Sequence, residues 1–185
     1  MSKTIHVVGN KVHIPDESRI SQHDGNDMIL FVGKMSYDPN IVATTYFANQ
    51  VFPKLLEKYP SLRFVIVGAN PDSRVIELAN PHIQVTGYVG SVEPYYQKST
   101  IVVAPMLTGA GIQNKILQAM SYGCCVVTTP VGAEGLNICN GEIAIADGTE
   151  GMTEVISSLL NDKSKRESMG KQARMYVIDH LSEAV

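Results

Sequence analysis

The sequence predicts an α/β protein: a doubly wound parallel sheet with helices closing its C-terminal end. Three observations predict it. Short, continuous apolar runs recur from residue 28 onward, as strands buried on both faces do. Helix-spaced segments separate the runs, so strand and helix alternate. Almost every run stops at Gly or Pro, where the chain leaves the sheet.

The elements follow in order. Met28 to Val32 is the first strand, ending at Gly33. Asn40 to Tyr59 is helical, with Phe47, Val51 and Leu55 as one stripe and Phe52, Leu56 and Tyr59 beside it. Pro53 lies inside that stretch and is expected to kink or reset it. Leu62 to Val67 is the second strand, and Ser73 to Leu78 a short helix. His82 to Thr86 is the third strand, followed by Gly87-Tyr88-Val89-Gly90 and a helical turn over Val92 to Gln97. Ile101 to Ala104 is the fourth strand, followed by a Gly-rich loop and a helix reaching Tyr122. Cys125 to Thr128 is the fifth strand and Glu142 to Ile145 the sixth. Two helices close the chain, about Gly151 to Leu160 and Lys163 to His180. Residues 1–27 read as a lead-in, with one short strand at Ile5 to Val8, and residues 28–185 as a Rossmann-like domain.

Composition excludes several functions. The net charge of −3 over 185 residues offers no basic field for nucleic acid or anionic lipid. No run approaches the roughly 18 apolar residues that a membrane span needs, and no apolar segment follows Met1-Ser2-Lys3-Thr4 as in a signal peptide. Cys124, Cys125 and Cys139 are odd in number, and the adjacent pair is poorly disposed to bridge, which fits buried reduced thiols. His6, His13, His23, His82 and His180 are scattered, none at ligand spacing with a second His, Cys or carboxylate, so no metal site is expected.

The stretch that carries chemistry is Thr108-Gly109-Ala110-Gly111-Ile112-Gln113-Asn114-Lys115. It lies between a strand and a helix, on the sheet edge where ligands bind in doubly wound folds. Free N–H groups and the helix dipole favour a phosphate there. Glycines after a strand equally make a plain tight turn, and the stretch is neither a Walker loop nor a complete GxGxxG. Lys115, one turn into the helix, reads either as a charge reaching back to the loop or as a solvated helix lysine. Gly111, Lys115 and Gln118 read as one helical face. Lys34, after the first strand, reaches the same edge or is an ordinary surface lysine. Glu134, in the turn after the fifth strand, binds sugar hydroxyls or caps the next segment.

These segments, in this order, resemble the nucleotide-sugar-binding half of retaining GT-B glycosyltransferases of the group 1 type. The likeness rests on Val102-Val103-Ala104-Pro105, Gly109 to Lys115, Gln118-Ala119-Met120-Ser121-Tyr122-Gly123, Cys124 to Val127 and Gly132-Ala133-Glu134-Gly135-Leu136. Upstream it includes Phe31 to Asn40, Phe64 to Gly68 and Val85 to Val89. It implies one half of a GT-B fold. The backbone of Gly109, Ala110, Gly111 and Ile112 would hold the donor diphosphate, with Lys115 neutralising it. Lys34 stands where members commonly carry arginine, and the Pro39-Asn40 region replaces a later lysine. Tyr88 and Val89 resemble the segment that packs on the nucleobase. The paired glutamates of the family are replaced by Ala110 and Gln118; the latter can still hydrogen-bond a ribose hydroxyl but brings no charge.

The resemblance further implies a donor of the UDP- or GDP-sugar type, no cofactor or metal, and a glycan or lipid-linked acceptor. That acceptor would bind an N-terminal domain absent from this chain, for Ile5 to Ile14 resembles the segment that leaves such a domain. The expected parent is a cytoplasmic, retaining transferase of polysaccharide biosynthesis, any contact with the inner membrane running through the absent domain. The fragment alone is expected to be inactive. A non-catalytic nucleotide-sugar-binding or scaffolding protein is the alternative that Ala110 and Gln118 leave open.

Overall fold

A computed structural model describes residues 12–22, 27–138 and 141–181. The strand expected at Ile5 to Val8, and Cys139, lie outside them. Within them six strands form one sheet: β1 (Met28–Val32), β2 (Arg63–Val67), β3 (Ile83–Val85), β4 (Ile101–Ala104), β5 (Val126–Thr128) and β6 (Ala144–Ile145). Their order is β3-β2-β1-β4-β5-β6, and every neighbouring pair is parallel. The chain builds outward from β1 to β3, then returns to lay β4 against the other side of β1, pairing Ile29 with Ile101 and Leu30 with Val102. The switch point of this doubly wound sheet therefore falls between β1 and β4.

Burial explains the apolar runs. All five residues of β1, all four of β4 and all three of β5 are buried. The layer on one face is led by a long helical stretch: α1 (Asp38–Tyr46), a π-helical turn over Phe47–Val51, and α2 (Phe52–Lys58). Pro53 supplies no N–H to the preceding turn, and the π turn immediately before it absorbs that loss. The stretch continues without ending, its register reset as expected. Phe47 and Phe52 pack on Phe64 of β2, with ring centroids 4.8 and 5.8 Å apart.

The remaining helices are α3 (Ser73–Ile76), α4 (Glu93–Lys98), α5 (Asn114–Ser121), α6 (Gly148–Leu160) and α7 (Lys163–Leu181). Two arginines of α7 tie helix ends. Buried Arg166 donates to the carbonyls of Leu159 and Leu160 at 2.6 and 3.0 Å, capping α6. Arg174 donates to Ser121 O at the end of α5 and to Pro15 O of the lead-in, at 2.5 and 2.7 Å. Cations at these carboxyl ends meet the negative pole of the helix dipole. The lead-in is further fastened by Ser21 N donating to Tyr122 O at 2.8 Å.

Several expected bounds shift. The sixth strand shrinks from Glu142–Ile145 to Ala144–Ile145: it lies at the sheet edge, and Ile145 faces solvent. The helix before α7 begins at Gly148 rather than Gly151. Cys124 and Cys125 are buried free thiols, both pushed up to about 12 by burial, which makes them poor nucleophiles.

Candidate functional site

The loops after β1 and β4 flank the switch point, and the structure presses them together. A Cβ on Gly109 would lie 3.8 Å from Cβ of Pro39 at the start of α1. Gly109 and Gly111 have φ of +121° and +77°, which side-chain-bearing residues rarely adopt. A Cβ on Gly111 would meet nothing within 4 Å, so glycine serves the backbone path there while the space beside it stays open.

The turn after β5 closes the other flank. Thr128 Oγ1 donates to Ala104 O at 2.7 Å and Thr129 Oγ1 to Met106 O at 2.5 Å, so the ends of β4 and β5 are stitched together. A Cβ on Gly132 would overlap Thr128 Oγ1 and approach Ala104 O to 3.1 Å. Only glycine fits that close approach. A Cβ on Gly135 would come within 3.1 Å of Ile112 Cγ1, which sets this turn against the Gly-rich loop. Glu134 is exposed on it and caps no helix.

Lys115 is the principal cation of the site. It sits in the first turn of α5 and is half-buried. Its Nζ donates to Gln113 Oε1 at 2.9 Å, lies 3.8 Å from Met106 Sδ, and stands 5.8 Å from the centroid of the Phe31 ring on β1. Burial alone lowers its pKa from 10.5 to about 8. No carboxylate among the described residues pairs with it. The solvated-lysine reading is therefore not what the fold adopts. Gly111 does not share a helical face with Lys115 and Gln118, because α5 begins only at Asn114 and Gly111 lies in the loop before it.

Gln118 is half-buried one turn further along α5, where its Oε1 accepts from Tyr96 Oη at 3.3 Å. Tyr96 is fully buried and stacks on Tyr122 with centroids 4.8 Å apart. One amide group of Gln118 is thus oriented by α4, leaving its NH2 end for another partner. A cleft of about 230 Å³ is lined by Val12, His13, Asn114, Gln118 and Tyr122.

The other expected residues lie on the same edge at different depths. Lys34 is exposed after β1. Its carbonyl accepts from Asn40 Nδ2 at 3.0 Å. Tyr88, 81% exposed, and Val89, packed partly on the core, follow β3, two strands from β1. Ala110 and Ile112 are exposed on the loop. Further residues complete the picture: Asn40, noted in sequence only as part of the Pro39-Asn40 region and 3% exposed beneath the β1 loop; Gln113, 8% exposed, bonded to Lys115; Met106; and Tyr96. The signal for Gln113 was its place directly before a helix, the N-cap position. Among the described residues no cluster of three or more His, Cys, Asp or Glu is disposed to hold a metal, and no helix is long and apolar enough to cross a membrane.

Parallel strands in the order 3-2-1-4-5-6, with a glycine-rich strand-to-helix loop at the switch point, define a Rossmann-like α/β domain. Comparison makes the class specific. Residues 26–162 match the family described as Glycosyl transferases group 1, and the chain belongs to that family. An uncharacterized 44.6 kDa protein in the cps region of Klebsiella pneumoniae is 29% identical over 129 residues, covering 63% of this chain and 32% of that protein. Among solved structures, the C-terminal domain of a group 1 glycosyl transferase (LpcC) from Francisella tularensis superposes with a TM-score of 0.67 at 18% identity, covering 91% of each chain. A mutant TarM of S. aureus, solved with fondaparinux, alpha-GlcNAc-glycerol and UDP, superposes at 0.77 and 16% identity, covering 93% of this chain and 36% of that one. These likenesses identify the fold as the C-terminal domain of a GT-B glycosyltransferase. The chain spans about a third of the length of the Klebsiella and S. aureus proteins.

Proposed function

We propose that this chain is the donor-binding domain of a glycosyltransferase that moves a sugar from a nucleoside diphosphate sugar, UDP- or GDP-linked, to a glycan or lipid-linked acceptor. The observation that carries this reading is Lys115: a half-buried ammonium at the switch point, beside a Gly-rich loop, with no carboxylate among the described residues to neutralise it. A buried cation without an anion is costly, and a diphosphate is the anion that the setting suits. The positive end of the α5 dipole adds to it, and the N-cap residue Gln113 turns its side chain to other groups than the helix amides. The UDP bound to the similarly folded TarM supports the same reading.

In this reading the backbone of Gly109, Ala110, Gly111 and Ile112 encloses the diphosphate, and Lys115 with the α5 amides offsets the charge that grows on it as the sugar departs. That is electrostatic stabilisation by groups fixed in place before the reaction. Lys34, exposed across the crevice, adds a second, more mobile charge. Gln118 hydrogen-bonds the ribose, Tyr88 and Val89 approach the base, and Glu134 approaches the sugar. The parent retains anomeric configuration and acts in polysaccharide biosynthesis in the cytoplasm. Its acceptor binds an N-terminal domain in cis, so this chain by itself transfers no sugar.

Ala110 and Gln118 favour a second reading, in which the parent binds nucleotide sugars without turning them over. Calorimetric titration with UDP and GDP tests what both readings share. Binding of one of them at up to about 1 mM is expected, and binding of neither rejects both. Transfer by the full-length protein separates the two; dead wild type rescued by Gln118→Glu selects the second.

A further inference from the structure

We infer that Gln113 is a positioning residue that locks the Gly-rich loop and the Lys115 ammonium into one unit, so that loop shape and cation placement change together. This rests on the diphosphate-site reading of Lys115 and deepens it.

Gln113 holds the N-cap position of α5, where a polar side chain usually turns inward to satisfy a free helix amide. It does not. Its backbone carbonyl accepts the first-turn bonds from Ile116 and Leu117 at 2.9 and 3.4 Å, but its side chain serves two other groups. Nε2 donates to Gly111 O at 3.3 Å, and Oε1 accepts from Lys115 Nζ at 2.9 Å. One planar amide thus spans the left-handed glycine of the loop and the cation of the helix. At 8% exposure the amide has little access to water, so losing either bond leaves a polar group poorly solvated. A Cβ on Gly109 would stand 3.5 Å from the same Nε2, which places the other left-handed glycine of the loop against the bridge too.

The side-chain identity matters in both directions. Glutamate has the same shape, but it would pair its charge with Lys115 and present no donor to Gly111 O. Leucine would keep the packing and make neither bond. Only a neutral amide holds the loop carbonyl while leaving the lysine charge uncancelled. The groups that face Lys115 from the surrounding elements are Phe31 of β1, Met106 of the β4 loop and Gln113 itself. None of them is charged, so a carboxylate at 113 would be the first charge beside the ammonium among the described residues.

The experiment is a titration of Lys115 in the nucleotide-free chain, followed by NMR of lysine labelled at Cε and Nζ, in wild type, Gln113→Glu and Gln113→Leu. UDP and GDP affinities are measured alongside by calorimetry, and melting temperature controls for folding. The Lys115 midpoint should rise by about one pH unit or more in Gln113→Glu and fall in Gln113→Leu. Nucleotide affinity should drop about tenfold or more in both. If Gln113→Leu does not fold, the isosteric Gln113→Glu decides alone. A Lys115 midpoint unmoved in folded Gln113→Glu overturns the bridge. A midpoint that moves while affinity stays at the wild-type value overturns the coupling to the ligand. If wild type binds neither nucleotide, the diphosphate-site reading falls, while the Lys115 titration still decides whether Gln113 holds the ammonium.

Discussion

At the scale of the residue, Lys115 shows what spacing can and cannot say. α5 begins at Asn114, which puts it in the first turn rather than one turn in, but its proximity to a Gly-rich loop was readable. The direction of its side chain was not. That is settled by Phe31 on β1 and Met106 after β4, residues far apart in sequence that together make a half-buried seat for Nζ. Gln113 and Asn40 stood in the quoted segments, but their burial was unreadable for the same reason: each is polar, and only the fold reveals that each is buried. Burial of Lys115 has a consequence for stability without nucleotide. Its folded pKa, about 8, lies below the ordinary 10.5, so folding favours the neutral amine. The cost of burying the charge is full below about pH 8 and is relieved as pH rises toward 10.5. Lys115→Met should therefore raise the urea midpoint of the empty chain below pH 8, and the gain should shrink at pH 10. An equal gain at both pH values would contradict the assignment. The partner of Gln118 offers a second residue-scale prediction. Tyr96→Phe removes the hydroxyl that donates to Gln118 Oε1, which should cost about 1 kcal/mol in chemical denaturation.

Among the elements, legibility follows burial. Strand β1 was bounded to the residue because both of its faces are buried, which leaves an unbroken apolar run. Strand β6 was overextended because an edge strand of two residues, one of them exposed, leaves almost no pattern. The long helix was readable with its fault: Pro53 announced an interruption, and the structure resolves it as a π-helical turn rather than a break. The turn after β5 yields the clearest element-scale prediction. Gly132 lies where a Cβ would overlap Thr128 Oγ1, the group that stitches β5 to Ala104. Gly132→Ala should destabilise the chain by about 1–3 kcal/mol in urea unfolding. Because that turn abuts Ile112 through Gly135, the substitution should weaken nucleotide binding as well. Gly151→Ala, at a position with open space in α6, should be neutral or slightly stabilising.

For the whole molecule, the strand order concentrates function on one edge. Only the return of the chain from β3 to β4 brings the loop after β1 and the Gly-rich loop side by side, although about seventy residues separate them in sequence. The fold was legible because its strands are short, buried and punctuated by glycine. Of the candidate site, the loop and the lysine beside it could be named from sequence, but not the hydrogen bonds that join them. The exposed aromatic and aliphatic side chains Tyr37, Tyr88, Leu107 and Ile112 all follow carboxyl ends of strands, on the edge where the donor is proposed to bind.

The central claim is that Lys115 supplies the positive charge for a nucleoside diphosphate, and the pH dependence of affinity tests it most directly. UDP and GDP are titrated calorimetrically into wild type and Lys115→Met from pH 7 to 9.5. Only the protonated lysine attracts the diphosphate, and its pKa in the empty chain is about 8. The bound nucleotide should be held steadily below that pH and should weaken by up to about tenfold per unit above it. Lys115→Met should bind at least about tenfold more weakly at pH 7 and show no such slope. Wild-type affinity that is flat across this range, or a Lys115→Met variant that binds as tightly as wild type, would contradict the claim.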